Sequence, residues 1–273
     1  MAHTLQERYS ALVDAKLRFT MVKKDGVIWN TSHEGDPKAG AVKIPVRDTE
    51  VEVKAYDKAN GIAGTTSATT YTTMDIDKDY AVNEIVDGYD AAAVPDGLVA
   101  ERLDSAGYSF ALQSEKDGTA CLEAAATSFS DTTALTKDTV YDTIVDMRTE
   151  LSKKGVPKDG RRWLLTSPDA YALVLKSPEF TRASDLGDKV IQTGAVGAIS
   201  DFLVFEDPTL SATTELIAGH PNWCHHVNEW KVPVHLQDLS GSGKYIGASG
   251  VQGRNVYGYK VSKASALLIK KKA

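Results

Sequence analysis

The sequence predicts an α+β fold whose sheet is closed late by the C-terminus, and three patterns carry that reading. Apolar and polar residues alternate through Val51, Val53 and Ala55, and again along much of residues 230–269, as half-buried strands require. Between residues 94 and 126 the apolar positions recur every three or four residues, the period of one long helix. From Thr136 to Ala218, helix signals and short apolar strands take turns.

Taken in order, Leu5, Tyr9, Leu12, Val13 and Lys16/Leu17 fall at helical spacing, with Thr4 as N-cap and Glu7 three residues on, so a short amphipathic helix is expected over residues 4–19. Residues 29–40 hold turn formers without a period, so that helix reads as a tethered arm outside any core. A strand over residues 42–56 is followed by Asn60-Gly61, Gly64 and a Thr/Ser-rich stretch, and alternation resumes at Met74, Ile76, Tyr80 and Val82. Together these make a long two-stranded excursion to Asp87. A hairpin this polar has too little apolar surface to be stable alone in water, so it must lie on something else.

Pro95 suits a first helical position, and Leu98, Val99, Leu103, Ala106, Phe110 and Cys121 continue the helix toward Ala126. At 1.5 Å per residue it reaches roughly 45 Å. Gly107 and Gly118 weaken it by ~1 kcal/mol each without ending it. Thr136 caps the next helix, which carries Val140, Ile144, Met147 and Leu151 and stops at Gly155 with Pro157 beyond. A buried strand is expected over residues 163–166, a helix opened by Ser167-Pro168 over 169–176, and strands over 202–205 and 215–218.

Composition narrows the function. The 273 residues are 42% hydrophobic and 25% charged, which excludes fibrous, collagen-like and wholly disordered chains. Apolar runs of four or five residues are far short of the ~20 that cross a bilayer, and the first residues form no signal peptide, so no membrane partner is expected. Cys121 and Cys224 outline no disulfide framework, and a reducing cytoplasm is the expected site of synthesis. A net charge of −6 argues against tight nucleic-acid binding. Residues 71–104 hold nine acids and two bases, whereas the last fourteen residues hold five lysines and no acid. Opposite blocks of this kind predict contact between copies.

Candidate sites fail on spacing. Asp75, Asp77 and Asp79 open like a calcium loop, but Tyr80 and Val86 stand where Gly and Glu are needed, so the acids read as the polar edge of a strand. His220, Cys224, His225, His226 and His235 hold zinc-ligand chemistry, yet a second cysteine pair is missing and Pro221 crowds the start, so packing and surface histidines are expected. Gly241-Ser242-Gly243-Lys244 lacks the earlier glycine (Asp238) and the following Ser/Thr (Tyr245) of a phosphate loop and reads as a turn between strands. Gly194-Ala195-Val196-Gly197 follows no clear strand and fails as a dinucleotide loop. No catalytic, cofactor-binding or metal residue is assigned, and the chain reads as no enzyme.

Gly155-Val156-Pro157, Gly160-Arg161-Arg162, the strand ending in Ser167-Pro168, Tyr171, Leu175, Gly194 and Gly197 before the strand at 202–205, and Asn255-Val256-Tyr257-Gly258 resemble tailed-phage major capsid proteins of the Hong Kong 97 (HK97-like) fold. Asp201 stands where that family leads one to expect Gly. The resemblance implies an N-terminal arm (1–40), an extended β-hairpin loop (41–90), a peripheral domain with a spine helix (91–136), an α/β axial domain (137–228) and closing strands of the peripheral-domain sheet (229–273). It implies a virion capsid: hexamers and pentamers in an icosahedral shell around double-stranded DNA that is contacted weakly and non-specifically. A separate scaffolding protein, a portal and decoration proteins are implied partners. In some relatives a loop lysine joins a distant Asn; Lys54, Lys58 and Asn255 are available here. The alternatives are an encapsulin-like bacterial nanocompartment shell and a metal-dependent enzyme using His220, Cys224 and His226.

Overall fold

The computed structural model describes residues 16–32, 40–46, 50–64, 66, 69–93, 97–178 and 197–273. Its largest core forms around a strand with no polar face. β5 (Arg162–Thr166) is buried at all five positions, as a central strand covered on both faces must be. It lies in a six-stranded sheet of order β4-β11-β8-β5-β7-β6, built with β4 (Thr127–Ser128), β6 (Ala198–Ile199), β7 (Phe202–Glu206), β8 (Thr214–Gly219) and β11 (Leu268–Lys271). α3 (Val140–Lys153) adds Ile144, Met147 and Leu151, all fully buried, each contributing ~1.5–3 kcal/mol. Gly155 ends this helix at φ 78°, and the Val156 amide donates to the Leu151 carbonyl at 3.0 Å. α4 (Pro168–Leu175) starts as expected, with the Ser167 hydroxyl accepting from the Ala170 amide.

The loop between α3 and β5 is held by a buried guanidinium. Arg162 donates through Nε to the Pro157 carbonyl at 2.8 Å, through Nη1 to Ser152 Oγ at 3.1 Å and through Nη2 to the Val156 carbonyl. Lysine keeps the charge but cannot serve three directions from one atom, so Arg162→Lys is expected to cost about 2 kcal/mol in denaturant unfolding. A loss below about 0.5 kcal/mol would show that the fork is dispensable. Nearby, Ser200 and Asp201 adopt φ 47° and 72°, the left-handed region in which Gly carries no penalty. Asp201 holds that position with a carboxylate that accepts from Arg148 Nε at 2.9 Å.

A second sheet has the order β3-β10-β9, from β3 (Lys78–Val86), β10 (Ser249–Val261) and β9 (Cys224–Asp238). β3 therefore leaves the expected excursion. Met74, Ile76, Tyr80 and Val82 alternate as one strand would, but the chain breaks after Asp75, and Lys78 onward pairs with β10. Only β1 (Ala41–Val46) and β2 (Thr70–Asp75) form the hairpin. Between β3 and the long helix lies an unexpected short helix, α1 (Gly88–Ala93), whose first amides donate to Asp87 Oδ1.

α2 (Leu98–Ala125) crosses the second sheet for 28 residues, about 42 Å. It starts after Gly97 at φ 69°, later than the sequence suggested, and Pro95 lies outside the described residues. The N-terminal arm runs along it. Lys16 pairs with Glu101, Arg18 with Asp104 at 2.6 Å, the Phe19 amide donates to Tyr108 Oη, and the Val22 and Lys23 amides donate to Glu115 Oε1. Seven extended residues cover about 23 Å and fourteen helical ones about 21 Å, so arm and helix keep pace in one direction. Of the helix expected over residues 4–19, residues 4–15 lie outside the described residues and 16–19 are extended.

The arm also enters the core, which corrects its reading as a bare tether. Ile28 and Trp29 are fully buried, and Trp29 sits 4.6 Å, ring to ring, from Tyr259. A Cβ on Gly118 would stand 3.0 Å from Trp29, so this glycine gives the indole its seat in the helix face. Asn30 then bridges β9 by donating to the Cys224 carbonyl and accepting from the His226 amide.

Candidate assembly interface

The hairpin is the part of the chain least supported by its own body. Its root has a small core of Ile44, Met74 and Val227, and β2 ends where it crosses β10 at Gly258. A Cβ there would stand 2.6 Å from the Asp75 carbonyl, so the glycine permits the crossing. Beyond the root, residues 50–64 are exposed throughout, with Val51 83%, Val53 95% and Tyr56 71% exposed. The strand expected over residues 42–56 therefore ends at Val46, and residues 51–55, although patterned as a strand, join no ladder among the described residues. The tip is a tight turn in which Asp57 accepts from the Ala59 amide and the Asn60 side chain, an arrangement that holds its carboxyl below the usual range.

The acidic block is not left free for other copies. Glu101 and Asp104 pair with the arm, Glu84 with Arg102 at 3.4 Å, Asp77 with Lys78 at 2.9 Å and Asp79 with Arg254. Of the basic block, Lys270 is buried and donates to the Asp131 and Thr133 carbonyls. Much of the charge that suggested contact between copies is thus paired within the chain.

The metal-type residues scatter as well. His220 caps a short turn by accepting from the Asn222 amide at Nδ1, which places its ring proton on Nε2, facing Asp159 at 2.9 Å. His225 meets Ser262, His226 meets Asp25 at 2.8 Å and stacks on Tyr259, and exposed His235 meets the Pro233 carbonyl. Cys224 is buried apart from these contacts, and burial pushes its thiol well up. Among the described residues, no three His, Cys, Asp or Glu gather where a metal could sit, so the enzyme built on His220, Cys224 and His226 has no assembled site. Asp75, Asp77 and Asp79 diverge to separate surroundings. Gly241–Lys244 forms the turn between β9 and β10, with Lys244 over the Tyr245 ring; Gly194 lies outside the described residues. Lys54 and Lys58 are on the exposed loop, whereas Asn255 is buried in β10 between Tyr80 and Lys231.

Sequence reasoning missed the polar joint that fixes the arm. Lys23 Nζ lies 2.5 Å from Asp207 and 3.5 Å from Glu115, and donates to Thr209 Oγ1 at 2.9 Å. The four residues come from four separate stretches and share no spacing signal. Tyr257 donates to Asp117 at 2.7 Å, and burial together with that carboxylate raises its phenol. These groups brace the molecule, while its exposed apolar loop has no cover.

A rigid two-sheet body with a long uncovered hairpin defines a structural subunit. The chain belongs to the phage capsid protein family: the model described as "Phage capsid protein" matches residues 85–267. Its function is that of a major capsid protein, with the HK97-like fold. The structure from Mycobacterium phage Che8 is similar over 97% of this chain and 96% of that one, with a TM-score of 0.82 at 21% identity. The capsid of cyanophage P-SCSP1u is similar over 98% and 93%, with a TM-score of 0.80 at 11% identity. The capsid of an empty GTA particle is similar over 98% and 95%, with a TM-score of 0.72 at 13% identity. No curated protein matches the sequence.

Proposed function

We propose that copies of this chain close into an icosahedral shell of hexamers and pentamers around double-stranded DNA, each laying its loop 50–64 on a neighbour. The observation that carries this reading is the loop itself: Val51, Val53 and Tyr56 are exposed beyond a well-packed root, and burial against another copy supplies what the chain lacks. The capsid structures it resembles support the same reading. The α/β body with the six-stranded sheet serves as the axial domain, and α2 with the β3-β10-β9 sheet as the peripheral domain. The net charge of −6 suits a wall that holds packaged DNA without gripping it. The chain works without catalysis, in the virion, after synthesis in the host cytoplasm, with a separate scaffolding protein and a portal as partners.

Electron micrographs of the purified protein are the test, with closed particles expected. Replacing residues 51–63 with a short Gly-Ser linker should leave a folded subunit, since that segment packs on nothing, and should abolish particles. Shells that still form without the loop would overturn its role. Particles filled with protein cargo instead of DNA would favour a nanocompartment, the reading that the phage capsid family does not favour.

A further inference from the structure

Two unpaired backbones in this chain have matching side chains. β9 is hydrogen-bonded to β10 on one edge, and its other edge carries the Asn30 bridge only at residues 224–226. From Asn228 onward that second edge is open among the described residues, with Trp230 44% exposed and Lys231 exposed. Pro233, which has no N–H to offer, limits any added ladder to the residues before it. An open edge of this length is a template for another strand. The loop supplies one: Val51, Val53 and Ala55 on one face, Glu52 and Lys54 on the other, the last two paired with each other at 3.0 Å.

We propose that residues 51–55 of one copy add antiparallel to residues 228–232 of the next, with Val53 opposite Trp230. This rests on the proposed laying of the loop on a neighbour and names the surface that receives it. The register puts Val51 opposite Val232 and Val53 opposite Trp230 on one face. It puts Glu52 opposite Lys231 and Lys54 beside Glu229 on the other, so apolar meets apolar and each charge meets its opposite. A slip of one residue would set Glu52 against Trp230 or Val232 and lose both matches. Main-chain hydrogen bonds then hold the loop and alternate side chains set its position, as in other strand additions.

The test is disulfide trapping in assembled particles of the full chain. Directly opposed antiparallel residues have Cα atoms about 4.5–5.5 Å apart, within disulfide reach. Val53→Cys with Trp230→Cys should give a ladder of covalent multimers on mild oxidation, whereas Val53→Cys with Gln237→Cys and each single variant should not. Particles without a ladder from the first pair, or with equal ladders from both, would overturn the register. Should the cysteine variants not assemble, Lys231→Glu should lower particle yield roughly three- to fivefold, and adding Glu52→Lys should restore it. Absence of rescue would overturn the pairing. A wild-type chain that forms no particles speaks instead against the proposed shell, and trapping within one chain would assign the edge to the chain's own loop.

Discussion

Lys23→Ala should lower the unfolding free energy of the unassembled subunit by about 3–5 kcal/mol, because it strands two buried carboxylates. The ammonium is fully buried, as is Asp207, and Glu115 is nearly so. Asp207 keeps its bonds from the Thr209 amide and hydroxyl, and Glu115 keeps those from the Val22 and Lys23 amides, but neither set neutralises a charge. The double variant Lys23→Met, Asp207→Leu removes cation and anion together and should cost less than the sum of its parts. Guanidinium unfolding of the single and double variants gives the coupling. A single-variant loss below about 1 kcal/mol would mean that the joint is solvated and does not hold the arm.

Gly258→Val should leave a folded subunit that fails to build particles. The added Cβ would meet the Asp75 carbonyl at 2.6 Å and the Ile76 Cα at 3.1 Å, both backbone atoms without an alternative rotamer. The hairpin root must lift, at a cost of about 1–3 kcal/mol in the subunit. The larger effect falls on assembly, since every copy would aim its loop wrongly. Particle yield measured by sedimentation should fall at least roughly tenfold, the equivalent of ~1.4 kcal/mol per contact. Gly241→Ala, with nothing within 4 Å of its Cβ, is the matched control and should assemble normally. Normal particles from Gly258→Val would show that the crossing does not direct the loop.

Where local chemistry decides an element, the sequence was sufficient. Ser167-Pro168 opens α4, Gly155 closes α3, and the apolar run at β5 is buried at every position. Where a distant partner decides, it was not. Trp29 sits among turn formers, and its burial depends on Gly118, almost ninety residues away, whose small size read only as a weakness of the helix. The alternation from Met74 to Val82 is continuous, yet β10 draws off its second half because Val82 and Val86 pack toward α2. Residues 51–55 have strand chemistry without a strand, since no partner lies within the chain. The candidate interface was legible as an unsupported hairpin, and its receiving edge was not, because an open edge exists only once β9 has paired with β10 and the arm.

The two sheets communicate through connectors almost without slack. β8 passes into β9, and β10 into β11, through short turns at Pro221–Trp223 and Ala264–Ala266. A load applied to the far tip of the three-stranded ribbon therefore reaches the six-stranded body directly, as torque on a lever clamped at its base. If internal pressure pushes on such a wall, bending will concentrate at those two turns, and stiffness there will decide how far each tile flexes.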